Sequence, residues 1–101
     1  MQGPYRVVTL CGSTKFKEDF LKVQAMLTLK GYIVLSVGCF GHSGDQFTEE
    51  QKIMLDDMHK RKIDMADEIF VINKNGYIGK STVSEIAYAR ATGKMVTYME
   101  D

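Results

Sequence analysis

The sequence predicts a small α/β domain, a flavodoxin- or Rossmann-like three-layer fold with a four-stranded parallel sheet in the order 2-1-3-4. Three observations carry this expectation. Short β-branched and aromatic runs alternate with stretches of helical periodicity, in the order β-α-β-α-β-α-β. No two runs are joined by a tight hairpin turn. The runs are continuously apolar rather than alternating, as strands covered on both faces should be. Such a chain closes through right-handed crossovers, with helices on both sides of the sheet.

Each element has its own local reason. Tyr5 to Cys11 (YRVVTLC) is a buried strand ending at Gly12. Ser13 or Thr14 can cap a helix from about Lys15 to Lys30, whose Phe16, Phe20, Val23, Met26, Leu27 and Leu29 follow helical spacing and which Gly31 stops. Tyr32 to Val37 (YIVLSV) is a second buried strand. Gly38 to Phe47, with three glycines, His42 and Ser43, is a loop. Thr48-Glu49-Glu50-Gln51 fits a capping box and opens a helix to about Ala66. Glu68 to Asn73 (EIFVIN) is the third strand, Lys74 to Ser81 a Gly-rich loop, and Thr82 to Thr92 the third helix, stopped by Gly93. Met95 to Met99 (MVTYM) is the last strand.

The chain has 101 residues, so residues 1–101 are expected to form one domain. Thirteen basic residues balance thirteen acidic ones, and the sequence pI is near 6.7. That balance argues against an electrostatic grip on nucleic acid or a membrane surface. No apolar run reaches membrane length, and the N-terminus lacks a signal-peptide pattern. Cys11 and Cys39 show no metal or redox spacing and read as buried thiols in a reducing cytoplasm. His42 and His59 lack an obvious third ligand, so no metal and no cofactor is expected.

In sheets of this kind a ligand binds beyond the carboxyl ends of the strands, at the switch point. That rule selects Gly12 to Lys15, Gly38 to Gln46 and Asn73 to Glu85. In "CGSTKF", Gly12 lets the backbone approach a ligand, while Ser13 and Thr14 add donors at a helix N-terminus, which is phosphate-binding chemistry or an ordinary capped turn. "NGYIGKST" imitates a Walker A loop, but Lys74 stands where its first glycine belongs, so nucleoside triphosphatase chemistry is rejected. Glu85 has two readings. Thr82-Val83-Ser84-Glu85 is itself a capping box. Alternatively Glu85 faces the crevice and attacks an anomeric carbon, as the nucleophile of a retaining glycosidase does. Asp56, His59 and Lys60 share one helix face, and Asp56, Asp57, His59, Asp64 and Asp67 read mainly as a solvated face.

"CGSTKF" after the first strand, "IDMADEIFVIN" around the third, and "S-x-x-S-E-I-A-Y-A-x-A-x-G-K-x-V" together resemble the nucleoside 2-deoxyribosyltransferase-like superfamily, which includes nucleotide N-hydrolases. The resemblance implies the same fold and places the family's nucleophile on Glu85, acting at C1′ of a nucleoside or its 5′-monophosphate. It implies substrate contacts from Ser13, with Lys15 and the Gly79 to Ser81 loop holding a phosphate, and a homodimer or higher homo-oligomer. Asp56, Asp57 or water is the candidate acid for protonating the departing base. Two positions at which such proteins often carry carboxylates are His59 and Gly79 here. The alternative is therefore a nucleotide-binding module of the same fold without turnover.

Overall fold

The computed structural model describes residues 1–40 and 47–101. The predicted loop residues Gly41, His42, Ser43, Gly44, Asp45 and Gln46 lie outside the described residues.

Four parallel strands form one sheet in the order β2-β1-β3-β4, as the alternating pattern predicts. β1 (Val7–Gly12) and β3 (Glu68–Ile72) are the central pair, with Leu10 opposite Phe70 and Gly12 opposite Ile72. β2 (Ile33–Leu35) and β4 (Met95–Tyr98) are the edges. The intervening helices are α1 (Lys17–Leu29), α2 (Glu49–Asp64) and α3 (Lys80–Ala91).

Side-chain alternation along the strands divides the core in two. Val8, Leu10 and Ile72 pack with Phe20, Val23 and Leu27 of α1 on one face. Cys11, Ile69 and Val71 pack with Ile63 of α2 and Ile86 and Ala89 of α3 on the other. The three-layer expectation holds, with one helix on the first face and two on the second. No helix among the described residues is long and apolar enough to cross a membrane.

Several boundaries differ from expectation, each for a visible reason. Tyr5 is not in β1; it exchanges backbone hydrogen bonds with Gln2 and closes a turn. The first helix opens as a 3-10 turn over Thr14–Phe16, with the Ser13 hydroxyl accepting from the Lys15 amide. β2 is shorter than Tyr32 to Val37 and is not fully buried. Its start is lost because the Tyr32 amide donates to the Leu27 carbonyl at the end of α1. Beyond its end, the Ser36 carbonyl accepts from Lys62 Nζ at 2.6 Å. Met95 on β4 is 58% exposed, as an edge strand allows. The capping box at α2 forms in full, with Thr48 Oγ1 accepting from the Gln51 amide and Gln51 Oε1 from the Thr48 amide. β3 ends in a clamp: the Asn73 side-chain amide donates to the Glu100 carbonyl and its oxygen accepts from the Glu100 amide.

Candidate functional site

The carboxyl ends of the central strands open on a cavity of about 790 Å³. The exit of β1 supplies Gly12, Ser13 and Thr14, and Val37 to Cys39 follow β2. From α2 come Asp56, His59 and Lys62. The start of α3 supplies Gly79 to Thr82, and Glu85 follows from its second turn. The segments selected after β1 and β3 therefore meet at one site, as the switch-point rule requires.

Gly12 is at the cavity wall, but the space for a side chain is closed from behind. A Cβ there would lie 2.8 Å from the Ile72 carbonyl oxygen. The glycine is thus demanded by the close approach of β1 to β3.

Two candidates are not brought to the cavity. Lys15 is turned aside, its ammonium 3.5 Å from the centre of the Tyr77 ring, a cation–π contact. Tyr77 rather than Lys15 forms the wall. Asp57 is exposed and lies 3.7 Å from Arg61 one turn on. One residue beyond Asp56, it points about 100° further round the helix, away from the cavity.

Glu85 does not cap its helix. α3 begins two residues before Thr82, with Gly79 as its N-cap and no side-chain cap bond. Glu85 is therefore the sixth helical residue, too deep to reach the first amides. Its carboxyl is buried, as is Thr82 beside the cavity. Proximity to the start of α3 favours the ionised carboxylate, but burial outweighs it. Burial pushes its carboxyl up to about 7, aided by the negative charge of Asp56 and opposed by a hydrogen bond with Cys11 and by Lys60.

Two groups that sequence reasoning set aside surround this carboxyl. Cys11 ends the buried part of β1, and its Sγ is 3.5 Å from His59 Nε2. His59 Nε2 is in turn 3.9 Å from Glu85 Oε1. Far from standing on a solvated face, His59 is buried. Burial, with the charge of Lys62, lowers its pKa to about 4 despite a backbone hydrogen bond at Leu10, so the ring is neutral at pH 7. Burial and then the Glu85 charge raise the Cys11 thiol well above its ordinary range. The cluster is therefore a thiol, a neutral imidazole and a carboxyl balanced between its two forms. The available signal was modest: Cys11 immediately precedes the ligand-end glycine, and His59 is three residues after Asp56 on the same face.

No protein-family model and no curated protein matches this chain. A structural match is the 2-desoxiribosyltransferase from Leishmania mexicana, with a TM-score of 0.67 at 16% sequence identity. The match covers 92% of this chain and 63% of that one, so this chain spans under two thirds of that enzyme's length. At that identity the likeness establishes a shared fold, the four-stranded parallel α/β sheet described above.

Proposed function

We propose that the chain is an N-glycosidase of nucleosides or nucleoside 5′-monophosphates, or a deoxyribosyltransferase-like enzyme using the same covalent step, with Glu85 as the nucleophile. The observation that carries this reading is the Glu85 carboxyl beside a cavity flanked by Gly12 to Thr14, Gly79 to Ser81 and Asp56. The structural neighbour, named a 2-desoxiribosyltransferase, supports the substrate class.

In the proposed step a Glu85 oxygen bonds to C1′ as the C1′–N bond breaks. The electron pair of that bond leaves with the base, which takes a proton from Asp56 or from water. Water then attacks C1′ and releases the sugar, or the nitrogen of a second base attacks and completes a transfer. Either path returns the Glu85 carboxylate. The hydroxyls of Ser13, Thr14 and Ser81 bind sugar or phosphate oxygens. The amides at the start of α3 suit a 5′-phosphate, because a helix N-terminus presents unpaired N–H groups.

The test is base release from a panel of nucleosides and their monophosphates. Glu85→Gln keeps the shape and removes the nucleophile, so release should fall by about 1000-fold or more. Undiminished release from Glu85→Gln would remove Glu85 from the mechanism.

Two observations favour a second reading, a nucleotide-binding module without turnover. Asp57 is turned away, and burial pushes the Glu85 carboxyl up to about 7, toward the protonated form that is not a nucleophile. In that case a nucleotide binds saturably, no base appears, and Glu85→Gln binds as well as the parent.

A further inference from the structure

We propose that Cys11, His59 and Glu85 form a binding site for a soft divalent cation, Zn²⁺ by chemical class, with its open coordination position facing the cavity. The three residues come from three elements, β1, α2 and α3, and their donor atoms all lie within 4.8 Å of one another. In a tetrahedral zinc site with ordinary bond lengths, neighbouring donors are about 3.3–3.6 Å apart. The Sγ to Nε2 distance of 3.5 Å already matches, the Nε2 to Oε1 distance of 3.9 Å needs a small contraction, and the remaining Sγ to carboxylate distance, within 4.8 Å, closes by a turn of the Glu85 side chain.

The chemistry of the donor set agrees with the geometry. A thiolate and a carboxylate neutralise a divalent ion, so the filled site carries no net charge into a buried region. Binding displaces the thiol proton, together with the carboxyl proton wherever Glu85 holds one. Thiolate and imidazole select zinc over magnesium or calcium, which prefer oxygen ligands. His59 and Glu85 lie on the cavity wall while Cys11 is fully buried behind them. Three protein ligands therefore leave the fourth position toward the ligand space.

One consequence rests on the proposed function: a metal-bound Glu85 oxygen is not free to attack C1′. Zinc is then an inhibitor of base release, and a chelator restores it.

The experiment is a Co²⁺ titration of the full, reduced chain followed by absorption spectroscopy. Expected are one equivalent of Co²⁺, visible bands of tetrahedral intensity and a near-ultraviolet thiolate-to-cobalt band, all displaced by one equivalent of Zn²⁺. Cys11→Ser should lose the thiolate band. Loss of an outer contact alone costs about 10–100-fold, so His59→Ala and Glu85→Gln should weaken binding by about 100-fold or more. Cys39 is exposed, and Cys39→Ser should leave the spectrum unchanged. A parent chain showing only the weak bands of aqueous Co²⁺, or a thiolate band abolished by Cys39→Ser, overturns the proposal whether or not the core variants fold. The spectrum is independent of turnover. If no nucleoside releases base but the thiolate band appears, the metal site stands and the glycosidase reading falls.

Discussion

At Glu85 two local influences oppose each other. A position in the second turn of a helix is only weakly favourable to a negative charge, because the dipole effect fades within the first turn. Loss of water around the carboxyl is strongly unfavourable to that charge, and it dominates, taking the group to about 7. For a nucleophile the ionised form is the active one. With chelator present, base release should therefore rise with pH through about 7 and level off above it. A rate profile flat from pH 5.5 to 8.5 would contradict Glu85 as the titrating nucleophile. Gly12 illustrates a different constraint at the same scale. A methyl group at 2.8 Å from the Ile72 carbonyl must push the central strands apart. Gly12→Ala should destabilise the fold by about 1–3 kcal/mol, the usual cost of overpacking, measured by urea denaturation.

At the scale of elements, the two candidate capping boxes had opposite outcomes. Thr48 to Gln51 forms both reciprocal bonds, because the chain arrives extended at Thr48 and turns helical at Glu49. Thr48→Ala should cost about 0.5–2 kcal/mol, read as a lower denaturation midpoint with unchanged slope. Thr82 to Glu85 matches the same pattern but lies inside α3, which starts at Lys80. A box motif reports local chemistry, whereas the true start of α3 was set by Gly79 leaving the loop in an extended conformation. Edge strands show the same limit. The run from Tyr32 to Val37 is apolar except for Ser36, yet only Ile33–Leu35 pairs with β1. Its start is claimed by the nearby end of α1 and its end by Lys62, the second a contact that no local window along the chain contains.

At the scale of the molecule, the buried cluster makes stability depend on pH from two sides. His59 has a folded pKa of about 4, below its ordinary 6.5. The unfolded chain binds the extra proton first, so this stability is present above about 6.5 and is lost as pH falls toward 4. Glu85 is displaced the other way, from 4.5 to about 7, so its contribution is present below 4.5 and is lost as pH rises through 7. Between these limits the two effects offset each other. Above pH 7, Glu85→Gln should melt higher than the parent chain, by about 4–8 °C for each kcal/mol relieved. Below pH 4.5 the difference should vanish. Equal melting temperatures across that range would mean that the Glu85 carboxyl is not desolvated in solution.

Much of the fold was legible because its causes are local. Helical spacing in Phe20, Val23 and Leu27, apolar runs at the central strands and glycines behind two helices are properties of neighbouring residues. With right-handed crossovers they leave few topologies, and 2-1-3-4 is the one observed. The sequence by itself thus determined the element order, the parallel sheet and the edge at which Gly12, Gly79 and Glu85 would meet. Only the tertiary structure decided what surrounds Glu85. Cys11 and His59 are 48 positions apart, and their contact exists because β1 and α2 pack on the same face of the sheet. Desolvation and donor geometry are properties of that packing, summed over residues distant in the chain, so no local pattern records them.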